Sequence, residues 1–382
     1  MAHVVYIITK LELGGAQKVV LTLTRGVPHE SFNTTLLAGA GGVLDDTVAD
    51  DARVILLPSL KREIALTGIL SEIGAWYSLV CSLRLLKKQY PSLVVHTHST
   101  KAGLLGRWAA WWAGIKIRVH TIHGYAFHDH QSFIAWWLTY ACELLTSIIT
   151  THFVCVSSAD HTTGCRLFPY FAKKSSIIRA AVAWDSFRAA LPLSKQKNTQ
   201  PFIFGMVACF KHQKNIFDAL HAFQRVVQAQ QDVLFEIIGD GEQRAAIEAW
   251  IKDHNLEHRI ILSGWCHDVP ARMARWNAFL LTSLWEGLPC SIIEARLLHL
   301  PVLSYHTGGV RDVITSGVNG YVYPQGAWQA MAEDMLRLTL DPELCQKLAH
   351  HEDALQEFHD LIMIEKHRAL YHQLFDVQKN VS

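Results

Sequence analysis

Short apolar runs alternate with longer stretches of helical period along almost the whole chain. Val4 to Thr9, Thr34 to Ala38, Leu93 to His96, Arg118 to Thr121 and Phe153 to Val156 read as strands, with helices over Gln17 to Arg25 and Lys101 to Ala113. The alternation predicts an α/β protein built from βαβ units around parallel sheets. It is interrupted by the polar stretch Leu191 to Pro201, which suits a linker. A second set then starts, with strands Phe202 to Val207, Leu234 to Ile238, Ile260 to Leu262, Ala278 to Leu281 and Val302 to Tyr305. Helices Asn215 to Gln228, Glu242 to His254 and Ser291 to Leu298 lie between them. The expected architecture is two facing Rossmann-like domains, residues 1–190 and 202–355, joined by a linker at 191–201. A helical tail follows at 356–382, and the last helical stretch, Pro342 to Phe375, returns in part to the first domain. Ligands of such sheets bind beyond the carboxyl ends of the strands, so the crevice between the domains is the expected site.

Composition refines this picture. At 382 residues, 50% hydrophobic and 18% charged, the chain suits two folded domains. Its net charge of +1 conceals an asymmetry: residues 1–200 hold 20 Lys+Arg against 12 Asp+Glu, and residues 201–382 hold 15 against 22. A basic first half carrying Trp108, Trp111, Trp112, Trp136 and Trp137 suggests contact with an anionic membrane surface. Its cations are dispersed among apolar stretches without a nucleic-acid module, so nucleic acid is not an expected partner. Eight cysteines without a Cys-x-x-Cys pair, and no secretory signal before the first strand, fit a cytoplasmic protein with reduced thiols. Phe133 to Val156 is apolar for nearly a membrane span but contains Glu143 and His152. It reads as a helix buried in the domain core and then a strand, with partial immersion of the helix in a membrane as the competing expectation.

The candidate chemistry gathers at strand ends. Gly14-Gly15-Ala16-Gln17 follows the first strand and lets backbone approach a ligand. Neither it nor Gly239-Asp240-Gly241 has the spacing of a dinucleotide fingerprint, which disfavours a nicotinamide enzyme. His96, His98, His120, His123, His128 and His130 crowd two strand ends, yet their spacings match no common zinc pattern and no metal is expected. His123 stands at a strand mouth, where it serves a ligand or merely bonds nearby backbone. In the second half, Lys211 and Lys214 lie on a basic turn between strand and helix, placed to meet phosphate oxygens or simply to face water. Gly308-Gly309 makes another tight approach. Glu286-Gly287-Leu288-Pro289-Cys290-Ser291-Ile292-Ile293-Glu294 sets two carboxylates eight positions apart across a turn that opens a helix. Such a helix start attracts anions, so carboxylates there imply a ligand offering hydroxyls beside a negative group. The plain alternative is a solvated acid in the first turn. No Asp-x-Asp triplet occurs, so a diphosphate leaving group would be neutralised by lysines and helix N-termini and not by a carboxylate-held divalent ion.

These ordered motifs resemble the family 4 glycosyltransferases, retaining enzymes of the GT-B fold that use nucleotide-activated sugars. The likeness covers nearly the whole chain: the Gly14 to Gln17 turn, His96 to Gly103, His120 to Gly124, and the Glu-x7-Glu spacing of Glu286 and Glu294. The resemblance implies that Glu294 binds the ribose hydroxyls and that Glu286 with Gly287, Leu288, Pro289 and Cys290 addresses the donor sugar. It also implies that Lys214 binds the diphosphate, that Gly15 approaches the donor, and that His123 bonds a sugar hydroxyl. It departs at Cys209, where the family usually has arginine; that shifts diphosphate charge onto Lys214, with Lys211 assisting. His299, where the family often has glycine, reads as a local packing change. The implied activity is retaining transfer of a sugar, with UDP-hexose or UDP-N-acetylhexosamine as the default donor, and no cofactor. The acceptor would be a glycan or lipid-linked sugar in surface polysaccharide or lipopolysaccharide assembly, met at the inner face of the cell membrane. A nucleotide-sugar epimerase on the same fold, or a catalytically impaired sugar-nucleotide-binding protein, remains an alternative.

Overall fold

A computed structural model of the chain describes residues 2–61, 68–194, 201–351 and 353–381. It divides into two compact units, residues 1–181 with 357–382 and residues 182–356. The first contains β1 (His3–Lys10), α1 (Gly15–Gly26), β2 (Asn33–Gly39), β3 (Val54–Leu57), α2 (Ile69–Gln89), β4 (Leu93–His98), α3 (Thr100–Trp112), β5 (Ile117–Ile122), α4 (Phe133–Ile149), β6 (His152–Cys155), α5 (Ser158–Leu167) and β7 (Ser175–Ile177). Its seven parallel strands run β3-β2-β1-β4-β5-β6-β7. Parallel strands covered by helices on both faces must be apolar on both sides, and Val4 to Ile8 of β1 are fully buried. The edge strand β7, two serines and an isoleucine, carries too little apolar pattern to be read from sequence.

The second unit contains α6 (Trp184–Ser194), β8 (Phe202–Val207), α7 (Ile216–Ala229), β9 (Val233–Ile238), α8 (Arg244–Asp253), β10 (Ile260–Gly264), α9 (Val269–Met273), β11 (Ala278–Leu281), α10 (Cys290–Leu297), β12 (Val302–Tyr305), β13 (Gly320–Tyr323), α11 (Trp328–Leu340) and α12 (Pro342–Ala349). Its sheet order is β10-β9-β8-β11-β12-β13, again parallel throughout. Phe204, Phe223, Phe235, Leu280 and Met335 are among the residues that fill its core. The fold is therefore α/β with two Rossmann-like sheets, as the alternation predicts.

Three boundaries differ from expectation. Residues 182–190 group with the second unit, and the expected linker at 191–201 begins inside α6, which continues to Ser194; residues 195–200 lie outside the described residues. The stretch Pro342 to Phe375 is two helices, because α12 ends at Ala349 and α13 (Asp360–Val381) starts after ten intervening residues. α13 belongs to the first unit, packing on α1, with Tyr371 buried and its hydroxyl 2.7 Å from His96 Nδ1. Among the described residues no helix is long and apolar enough to cross a membrane.

Candidate functional site

In the second unit the carboxyl ends of β8, β11 and β12 each deliver a loop to one place. After β8, residues His212–Lys214 form a single 3-10 turn in which the Lys214 amide donates to the Lys211 carbonyl at 2.9 Å. Asn215 then takes the left-handed conformation, φ 45°, before α7 begins. That turn is pinned from two sides: Thr282 Oγ1 donates to the Lys214 and Asn215 carbonyls, and Asn215 Nδ2 donates to Asp218 Oδ2, which also accepts from Tyr305.

The loop after β11 is held against this turn. The Leu284 amide donates to the Gln213 carbonyl at 2.8 Å, and Gln213 Nε2 donates to the Trp285 carbonyl at 2.7 Å. From the other side the Gly309 amide donates to the Gly287 carbonyl at 2.6 Å. Gly308 has φ 45°, and a Cβ there would lie 2.2 Å from the Glu286 carbonyl oxygen, so only glycine fits. Glu286 is thereby delivered to Lys214, whose ammonium donates to its carboxylate; both side chains are largely buried. Two residues 72 positions apart thus form one ion pair, which spacing alone could not disclose.

Gly287, Leu288 and Pro289 lead into α10, whose first helical residue is Cys290 and not Ser291. The first amides of this helix are the free N–H groups that favour an anion. Glu294 lies in its second turn and is buried, which rules out the solvated first-turn acid. α10 itself is anchored by fully buried Arg296, which donates to Asp353 at 2.6 Å and to the carbonyls of Leu300 and Leu348. Lys211 is half-buried at the start of the basic turn, and Cys209 precedes it two residues beyond the end of β8.

In the first unit the adjacent strands β1, β4 and β5 end side by side. β1 leads to Gly14, whose extended backbone starts α1 at exposed Gly15. The register of β4 on β5 sets His96 beside Val119 and His98 beside Thr121. His123 then follows β5 by one residue, and its Nε2 meets His98 Nδ1 at 2.9 Å. His96 is fixed between Thr121 Oγ1 and Tyr371, each at 2.7 Å, and His120 Nδ1 lies 2.9 Å from Thr97 Oγ1. Burial pushes the His123 imidazole down to about 3 and holds His96, His98 and His120 well below the ordinary range, so all four are neutral at pH 7. Among the described residues no three His, Cys, Asp or Glu side chains are grouped to hold a metal ion.

Sequence reading missed two features here. His98 is the direct partner of His123, and Ser99 adopts φ 62° with ψ 153°, a conformation costly for any residue with a Cβ. Such strain clusters at ligand sites, and nothing in the local sequence signals it.

With this geometry in hand, two family models match. The one described as Glycosyl transferases group 1 covers residues 188–352, and the one described as Glycosyl transferase 4-like domain covers residues 14–162. The UDP-Gal:alpha-D-GlcNAc-diphosphoundecaprenol alpha-1,3-galactosyltransferase of Escherichia coli is 30% identical over 345 residues, spanning 87% of this chain and 86% of that protein. The capsular polysaccharide biosynthesis glycosyltransferase CapM of Staphylococcus aureus is 24% identical over 306 residues, 76% and 77% of the two chains. Among solved structures, HepE of Anabaena in complex with UDP and glucose aligns with a TM-score of 0.79 at 18% identity, over 98% of this chain and 100% of that one.

Proposed function

Because the chain belongs to the family 4 glycosyltransferases of the GT-B fold and is a glycosyltransferase, we propose that it moves a hexose or N-acetylhexosamine from a UDP donor to a lipid-linked glycan acceptor, with retention of configuration. The donor half of this reading rests on the clamped Lys214–Glu286 pair beside the start of α10. Glu286, with the turn Gly287 to Cys290, takes the sugar hydroxyls, and buried Glu294 takes the ribose. Lys214, assisted by Lys211 and the first amides of α10, takes the diphosphate. Before the donor arrives Glu286 satisfies the Lys214 charge; on binding, Lys214 exchanges that carboxylate for a phosphate oxygen while Glu286 turns to a sugar hydroxyl. The names of the Escherichia coli relative and of CapM support this acceptor and a role in surface polysaccharide assembly.

Transfer proceeds on one face of the sugar. The bond from the anomeric carbon to the diphosphate oxygen breaks, and the acceptor oxygen bonds to the same face. The acceptor proton passes to the departing diphosphate, whose charge Lys214 and the helix start stabilise electrostatically. Neutral His123 bonds a sugar hydroxyl. Its tautomer follows from His98, whose Nε2 is buried with no partner among the described residues. A bare lone pair there is a better fit than an unpaired N–H, so His98 carries hydrogen on Nδ1 and donates to His123 Nε2. His123 therefore holds its own hydrogen on Nδ1 and presents a donor to the sugar.

Thermal-shift titration with UDP, GDP and ADP tests the donor assignment, since a nucleotide that binds only the folded state raises its stability. A shift with UDP alone is expected, followed by transfer from a UDP-sugar to a diphosphate-linked lipid acceptor. Product with the opposite anomeric configuration would refute the one-face mechanism. Interconversion of the sugar without acceptor would replace transferase by epimerase chemistry.

A further inference from the structure

α4 is inside-out. Its polar side chains Glu143, Thr146 and Ser147 face inward and are buried, while Phe133, Ile134, Trp137, Leu138, Leu145 and Ile148 are exposed. Phe133, Ile134 and Ile148 keep 76%, 78% and 76% of their surface open, far beyond what a helix covering a sheet needs. Beneath it fully buried Arg107 of α3 forms a two-pronged pair with Glu143 at 2.8 and 2.9 Å, and Trp108 donates to Thr146 at 3.0 Å. The helix thus meets its own domain through these polar bonds and through Trp136, Tyr140 and Leu144, and turns the rest of its hydrocarbon outward. This reverses the expected burial of the Phe133 segment in the core. The apolar face continues onto α3, which packs against α4 and exposes Trp111 and Trp112, and onto α2, which packs against α3 and exposes Ile73, Tyr77 and Leu85.

Cations outnumber acids around this face. Between Glu72 and Asp129 the sequence contains no acid but holds Arg84, Lys87, Lys88, Lys101, Arg107, Lys116 and Arg118. Arg84, Lys88 and Lys116 are exposed near the carboxyl-terminal ends of α2 and α3, and Arg118 and Lys174 donate to carbonyls at the end of α4. An apolar stripe edged by tryptophans and cations matches a bilayer surface: acyl chains accept the aliphatic side chains, indoles sit at headgroup level, and lysines and arginines meet lipid phosphates.

We propose that the α2–α3–α4 face is a monotopic membrane anchor, with α4 lying in the plane of an anionic bilayer and its outward stripe in the headgroup and acyl boundary. At 17 residues, and tied to the domain through Glu143, α4 lies on the membrane and does not cross it. The anchor deepens the proposed function, because it gives a reason for a lipid-linked acceptor to reach this first unit.

The test is co-flotation with vesicles of phosphatidylcholine alone or with phosphatidylglycerol, at low salt. The full chain should float with anionic vesicles, and Ile134→Glu/Leu138→Glu/Ile148→Glu should weaken partition at least tenfold while keeping the wild-type melting temperature and nucleotide-dependent thermal shift. Arg84→Gln/Lys88→Gln/Lys116→Gln should lose the preference for anionic lipid and retain residual binding to neutral vesicles. Wild-type protein that stays with the soluble fraction, or a triple glutamate variant that floats equally well, overturns the anchor. If lipid-free protein self-associates through this face and ignores vesicles, the face is an interface between copies and the anchor is likewise overturned. Donor turnover measured with a short, detergent-soluble acceptor reports on the transferase assignment separately, so either idea can fail alone.

Discussion

Lowering the pH from 7 to 5 should loosen the first unit well before the second, because its core holds histidines that can bind protons only after unfolding. His3, His123, His152 and His367 are pushed down by burial to values of about 3 or 4, and His96, His98 and His120 lie well below the ordinary range; Arg107 further disfavours a charge on His120. All seven belong to the first unit. Their folded values lie below the unfolded value near 6.5, so their contribution to stability is complete above that pH and is lost as pH falls toward 4 and 3. Between pH 7 and 5 each such group costs about 1.36 × log[(1 + 10^1.5)/(1 + 10^−0.5)], or about 2 kcal/mol. His3, His123, His152 and His367 alone then cost about 8 kcal/mol, within the range of about 5 to 15 kcal/mol that holds a whole domain together, and His96, His98 and His120 act in the same direction. Hydrogen exchange read by mass spectrometry, corrected for intrinsic rates, should show protection in β1, β4 and β5 collapsing toward pH 5 while β8 and β9 keep theirs. His367→Leu removes one buried imidazole and should reduce the stability lost between pH 7 and 5 by about 2 kcal/mol. Protection in β4 and β5 that stays level from pH 7 to 5, or a second unit that opens first, would refute the reasoning.

Other perturbations probe the remaining structure. Lys214→Ala should remove about 2 to 4 kcal/mol of transition-state stabilisation, roughly a 30- to 1000-fold loss in kcat, with Lys214→Arg recovering part of it; unchanged turnover would sink its assigned role. Gly308→Ala forces a Cβ onto the Glu286 carbonyl at a left-handed φ, so it should weaken donor affinity, measured by calorimetry, while the first unit keeps its exchange protection. Glu143→Ala strands the Arg107 guanidinium and should cost about 3 to 5 kcal/mol in chemical denaturation, whereas Arg107→Leu/Glu143→Leu should cost far less; equal losses would show that packing, and not the unpaired charge, dominates.

Much of the architecture is legible in the chain itself. Parallel strands covered on both faces must be continuously apolar, so β1, β4, β8 and β11 announce themselves, and the glycine turns and the Glu286 to Glu294 spacing are local patterns. Edge strands such as β7, with two serines in three residues, escape because half their surroundings are solvent. The break between α12 and α13 escapes because helical period resumes on the far side.

The sequence by itself determined two Rossmann-like sheets, the strand ends where chemistry gathers, and the family to which those motifs belong, since each depends on residues close together along the chain. Only the tertiary structure decided that Lys214 pairs with Glu286, that His98 orients His123, and that Glu294 is buried. Those contacts join distant strand ends and depend on sheet order and register. It alone also decided which side of α4 turns outward. Its polar residues Glu143, Thr146 and Ser147 share one side at helical spacing, but the period alone does not say whether that side meets solvent or the domain, and the buried Arg107–Glu143 pair turns it inward.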